Sequence, residues 1–156
     1  MTQPPTNSHD SSPDPSSLAS AAAQAGDWQT ALWALREVLA ADPHHLEARY
    51  RLGWVLGSLG QVEEAIQAFR QVLQADPHHL NANYNLGALR LQQAQLVDPE
   101  AEWVSAAVVE SLQEAQQCFE RVMQLSPDDQ RAYAFLTIVR QALRRYQQAS
   151  PAPSHP

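Results

Sequence analysis

The sequence predicts an all-α protein, and three observations carry that reading. Between two polar ends the chain is rich in Ala, Leu, Gln and Glu, which lose little on entering a helix. No stretch alternates apolar and polar residues with the period of two that a half-buried strand requires. The segment GDWQTALWALREVLAADPHHL, from Gly26, returns 34 residues later as GQVEEAIQAFRQVLQADPHHL, from Gly60. A period between about 20 and 50 residues marks a solenoid or array, whose units bury their apolar faces against their neighbours.

The elements follow in order. Residues 1–13 hold Pro, Ser, Thr and Asp and no aromatic residue, so they are expected to be a disordered tail. A folded domain is expected over 14–148, and a second disordered tail over 149–156, in which SPAPSHP has the same character. The first helix is placed at about 14–25, shortened by Pro13 and Pro15. The second, about 28–41, carries Ala31, Leu35, Val38 and Leu39 at helical spacing and stops at Asp42-Pro43. The third, about 45–58, sets Tyr50, Leu52 and Leu56 on one face. Its interior Gly53 costs about 1 kcal/mol against Ala, a cost that makes sense where a partner helix must come close. Gly60 is expected to end that helix in the left-handed conformation.

The fourth helix, about 62–75, repeats the pattern with Ala65, Phe69, Val72 and Leu73, and Asp76-Pro77 closes it. Its Glu63-Glu64 pair suits a solvated first turn, where negative charge meets the positive end of the helix dipole. The fifth, about 79–96, holds LNANYNLGALR in register with LEARYRLGWVL, so that Gly87 stands for Gly53. A third copy of the second-helix pattern places Ala115, Phe119, Val122-Met123 and Pro127, but at a step of 50 residues, which leaves 16 extra. Asp98 and Pro99 read as an N-cap and first helical position, and Val104, Val108, Leu112, Ala115, Phe119 and Val122 step onward by three or four. The sixth helix is therefore expected over about 99–125, with an added portion of about 11 residues, roughly 16 Å at about 1.5 Å per residue. The seventh, about 129–147, should face Tyr133, Leu136 and Val139 to the stack and Arg140, Arg144 and Arg145 to water, capping it.

The repeated residues resemble the tetratricopeptide repeat family, whose unit is a 34-residue helix–turn–helix. Leu52-Gly53, Ala65, Phe69 and Pro77 carry the resemblance in one repeat, and Leu86-Gly87, Ala115, Phe119 and Pro127 in the next. The first repeat has Leu18-Ala19 in place of Leu-Gly, and Arg49 and Asn83 stand where members often have Trp. The resemblance implies a right-handed α-solenoid of three repeats plus a capping helix, with a concave groove lined by the first helices that binds a protein or peptide segment. Carried over by position, the groove residues are Glu47, Tyr50, Arg51 and Trp54, then Asn81, Tyr84, Asn85, Ala88 and Leu91, then Arg131, Ala134, Phe135 and Ile138. Ser58 and Gln92 extend the set. Some members grip a C-terminal carboxylate with Lys, Arg and Asn. This chain has Asn85 and Arg131 but no Lys, and Tyr50 and Trp54 stand where that set would begin, so such a clamp is not expected.

Charge and motifs exclude other classes. The net charge is −7, every cation is Arg, and no basic run exists, which argues against nucleic acid and anionic membrane surfaces as partners. No apolar run has the length to span a bilayer. The N-terminus lacks the features of a secretory signal, and the lone Cys118 has no disulfide partner, so a soluble cytoplasmic protein is expected. No nucleophile motif, phosphate loop or metalloprotease spacing appears, so neither enzyme activity nor a cofactor is expected. His44, His45, His78 and His79 fall in two copies of the turn DPHHL with no Cys nearby to complete a zinc set, and read as polar residues opening the next helix.

Tyr50 and Tyr84 fit a core or a groove position equally, whereas Trp54 is expected to be exposed. Trp28 and Trp33 are expected to pack, and Cys118 to be a buried, inert thiol. The functional expectation is a non-enzymatic adaptor or assembly scaffold. The rival is a self-associating module, a homo-oligomer driven by Trp28, Trp33 or the ends of the stack. Trp103, with Val104, Val108 and Val109, either folds back over a neighbouring helix or forms a second partner surface.

Overall fold

The computed structural model describes residues 14–95 and 106–149, which form seven α-helices and no strand. They are α1 (Pro15–Gln24), α2 (Trp28–Ala41), α3 (Leu46–Ser58), α4 (Val62–Ala75), α5 (Leu80–Gln95), α6 (Ala106–Leu125) and α7 (Gln130–Ala149). Helices α1 and α2, α3 and α4, and α5 and α6 pair as hairpins; each hairpin packs on the next, and α7 closes against α6. The chain is an all-α solenoid of helical hairpins. The expected start of α6 near Pro99, and the placement of Trp103 and Val104, lie outside the described residues.

The turns show why the repeat closes where it does. Gly26 and Gly60 take φ of 76° and 74°, the left-handed geometry that lets the chain reverse after a first helix. At the end of a second helix, Asp42 and Asp76 each accept from the backbone N–H two residues on, His44 and His78, at 3.0 Å. Proline between them cannot extend the helix. The second histidine of each copy then caps the next helix: His45 Nδ1 accepts from Ala48 N–H and His79 Nδ1 from Ala82 N–H, both at 3.2 Å. The duplicated DPHHL is thus stop, turn and cap in five residues.

Apolar side chains at helical spacing form the core. Ala65, Ile66, Phe69 and Val72 of α4, and Leu112, Ala115, Phe119 and Val122 of α6, are at most 1% exposed. Each buried Phe is worth about 1.5–3 kcal/mol by area. The helix glycines are set by these rings. A Cβ on Gly53 would lie 2.8 Å from Phe69 Cε1, and one on Gly87 3.0 Å from Phe119 Cζ. In the first hairpin Ala19 stands in the glycine position and Leu35 in the phenylalanine position, and both are buried. The shorter Leu makes room for the methyl, so the departure of this repeat is a matched pair.

Helices α4, α5 and α6 are also tied by charge. Arg70 donates two hydrogen bonds of 2.8 Å to the Glu114 carboxylate, and Arg90 donates a third. Burial pushes the Glu114 carboxyl upward, but the hydrogen bonds and charges of Arg70 and Arg90 together outweigh it and hold the group below its ordinary range. Cys118 is buried beside this cluster, and desolvation pushes its thiol up to about 12, which makes it an inert packing group.

One helix departs from the expectation at one residue. Leu136 and Val139 are buried as expected, together with Ala132 and Leu143, but Tyr133 is 64% exposed and does not face the stack. The buried set steps by four, three and four, and Tyr133 falls one residue off that stripe. Trp33, expected to pack, is 56% exposed.

Candidate functional site

The first helices of the hairpins, α1, α3 and α5, leave two clefts between them, and Trp54 lines both. The cleft between α1 and α3, about 330 Å³, is lined by Ser20, Ala23 and Gln24 on one side and Glu47, Tyr50, Arg51 and Trp54 on the other, over Leu35. The cleft between α3 and α5, about 240 Å³, is lined by Gly53, Trp54, Gly57 and Ser58 and by Asn85, Ala88, Leu89 and Gln92, over Phe69. Register explains the arrangement. One period before Trp54 is Ser20 and one period after is Ala88, so one column of the repeat forms one wall-to-wall surface.

Trp54 is held by Trp28, whose ring meets it edge-on at 5.1 Å between centroids, and it remains 44% exposed. Tyr50 is half-buried: its ring lies 5.9 Å from Phe69 and 4.8 Å from His79. Its hydroxyl accepts from Asn85 Nδ2 at 3.4 Å. Burial pushes the Tyr50 phenol above its ordinary value, with the Asn85 hydrogen bond opposing, so the group is a neutral hydroxyl. Arg51 donates to Glu47 and to the Ser20 hydroxyl, each at 2.6 Å. This pair cancels its own charge on the rim of the first cleft.

A third cluster lies between α5 and α7. The rings of Tyr84, Phe119 and Phe135 meet at 6.0, 6.0 and 5.3 Å, and the Arg131 guanidinium sits 5.1 Å from the Tyr84 centroid. Attraction between the cation and the ring face orients Arg131 over this surface. Phe135 occupies the register position of Arg51 and Asn85, so an aromatic ring replaces the polar rim there.

The expected groove residues therefore divide. Glu47, Tyr50, Arg51, Trp54, Asn85 and Ala88, with Ser58 and Gln92, line the two clefts. Tyr84, Arg131 and Phe135 form the third cluster, while Ala134 and Ile138 are exposed on α7. Asn81 is exposed at the start of α5 and lines neither cleft. Leu91 is a correction: it is 4% exposed and packs in the core with Leu112 and Ala115, because its long side chain folds inward. Sequence reading passed over Ser20, Ala23 and Gln24 of α1. Counting one period back from Trp54 and Gly57 lands on Ser20 and Ala23, so the signal was present. Trp103 lies outside the described residues. Among the described residues no group of three or more His, Cys, Asp and Glu could hold a metal, and no helix is long and apolar enough to cross a membrane.

The sequence profile of the tetratricopeptide repeat matches residues 17–79 and again 50–111, more than half of the chain. The chain belongs to the tetratricopeptide repeat family. No curated protein sequence matches it. Solved structures of tetratricopeptide repeat (TPR) domains superpose on it. The first TPR of Spaghetti (RPAP3), bound to the HSP90 peptide SRMEEVD, is 19% identical with a TM-score of 0.67 over 84% of this chain and 94% of that one. The Arabidopsis OM64 TPR domain is 15% identical, with a TM-score of 0.67 over 82% and 93%. The second TPR domain of human RPAP3, in complex with an HSP70 peptide, is 19% identical with a TM-score of 0.63 over 85% and 97%. At such identities the likeness shows the TPR fold alone and not a shared ligand.

Proposed function

We propose that this TPR chain is a non-enzymatic adaptor that binds a segment of another protein along the face of α1, α3 and α5. One observation carries the reading: Trp54 is 44% exposed, pinned by Trp28, and stands between two open clefts. A large aromatic held rigidly at an exposed site is the usual anchor of a protein interface, because it contributes area without losing much side-chain freedom. The peptide-bound structures of two TPR neighbours support the same use of this fold. Neither cleft resembles an enclosed metabolite site, and the smaller falls below the roughly 300 Å³ at which drug-sized ligand pockets begin. A cytoplasmic placement, expected from the lone reduced Cys118, belongs to the same proposal.

The test is the double variant Arg51→Ala, Trp54→Ala. It is expected to keep its helicity and lose a partner captured by the native chain. A partner that bound both forms equally would overturn the groove assignment. Sedimentation across a concentration series addresses the rival, since a stable partner-free dimer would favour self-association.

A further inference from the structure

The two-cleft face treats its three helix glycines differently. Gly53 and Gly87 are imposed by packing, since a Cβ would collide with a buried phenylalanine. Gly57 is not. Among the described residues a Cβ there would meet only Ala65 Cβ and Leu89 Cδ2, each at 4.0 Å, which is ordinary contact. Its φ is not in the left-handed range, so the backbone does not demand glycine either. A helical glycine loses up to about 1 kcal/mol against Ala, and no contact among the described residues returns that loss. What Gly57 does is leave open the floor of the 240 Å³ cleft beside Trp54. Glycine with no internal reason marks a place where another group comes close.

The same chain shows what fills this position when it is filled. One period after Gly57 stands Leu91, whose side chain is 4% exposed and packed in the core. The third repeat thus closes with its own leucine the position that the second repeat leaves open. Among the described residues the open cleft has no charged lining residue; Ser58, Asn85 and Gln92 are its polar members. Among the described residues Gln92 makes no side-chain hydrogen bond, and it is exposed, so its amide can face a peptide backbone.

We infer that the Gly57 cleft is a specificity pocket for one leucine-like aliphatic side chain of an extended, uncharged protein segment, and that it disfavours acidic C-terminal tails of the SRMEEVD kind. This rests on the groove reading above and names its ligand chemistry. Arg51, which lines the neighbouring cleft, is already engaged by Glu47 and Ser20, so little of its charge is left for an acidic tail.

The test uses the full chain, immobilised, and two probes. One is a library of end-blocked nonapeptides with central Leu, Ile or Met and uncharged flanks; the other has Asp and Glu flanks and a free carboxylate. The expected result is enrichment of the first library. Its dissociation constants should rise about tenfold or more in Gly57→Leu, which supplies the missing side chain from within. Gly57→Ala should give a smaller rise, and circular dichroism should show both variants folded. Preference for the acidic library, or binding of the uncharged one unchanged by Gly57→Leu but abolished by Trp54→Ala, would overturn the pocket and leave the groove standing. Binding of both libraries unchanged by Gly57→Leu and Trp54→Ala, or of neither library, would overturn both.

Discussion

Gly53 and Gly57 lie one helical turn apart on α3, yet adding a methyl to each should move stability in opposite directions. Both changes gain up to about 1 kcal/mol from replacing a helical glycine by Ala. That gain is common and cancels in the comparison. At Gly57 the new Cβ sits 4.0 Å from its neighbours and adds no strain. At Gly53 it would sit 2.8 Å from Phe69 Cε1 and 3.0 Å from Cδ1, against a ring that is 1% exposed. Overpacking of this kind costs about 1–3 kcal/mol. Gly57→Ala should therefore be the more stable of the pair by about 1–3 kcal/mol, or roughly 1 M in urea midpoint at a slope of about 2 kcal/mol/M. The assay is urea unfolding followed by circular dichroism. A Phe69→Leu background supplies the control, because Ala19 with Leu35 already shows the fold accepting that combination. There the penalty of Gly53→Ala should fall by about 1–2 kcal/mol, a coupling energy readable from a double-mutant cycle. Equal midpoints for Gly53→Ala and Gly57→Ala, or no coupling to Phe69, would refute the close-approach account of the repeat glycines.

Other outcomes follow from named contacts. Glu114→Gln should cost about 1.5–3 kcal/mol by weakening three charged hydrogen bonds, as measured by denaturant unfolding. Because its folded pKa is depressed, Glu114 contributes stability that is present above its ordinary unfolded value and lost as pH falls through the folded one. The variant should accordingly show a shallower acid limb in a plot of stability against pH. Cys118, with its thiol pushed up to about 12, should resist iodoacetamide at neutral pH in the native chain and react once denaturant opens it; rapid native labelling would contradict its burial. His45→Asp should raise stability by about 0.5 kcal/mol, since a carboxylate is the better N-cap and meets the positive end of α3; thermal melts of the single variant decide it.

Much of this architecture was legible in the residues. Helix positions, the stop at Asp-Pro, the reversal at Gly60 and the close approach at Gly53 and Gly87 follow from local rules that act within one period. A repeat shows the same rule twice, so each position in one copy checks the other. The face of α7 was legible only in part. Its buried stripe of Ala132, Leu136, Val139 and Leu143 competes in sequence with a neighbouring one through Tyr133, because several apolar residues stand close together. Only packing against α6 selects between them.

The site divides in the same way. The family resemblance carried by the sequence put Tyr50, Trp54, Asn85 and Ala88 on one face, and the 34-residue period sets equivalent positions such as Trp54 and Ala88 side by side. It could not determine that Leu91 turns inward while Gly57, its equivalent, leaves a cleft, or that Trp28 holds Trp54 edge-on. Nor could it show that Arg51 spends its charge on Glu47 and Ser20, 4 and 31 residues away along the chain. These depend on distances between side chains from different helices. Periodicity sets which residues can meet; the volume left between packed helices decides which of them touch and which remain open to a partner.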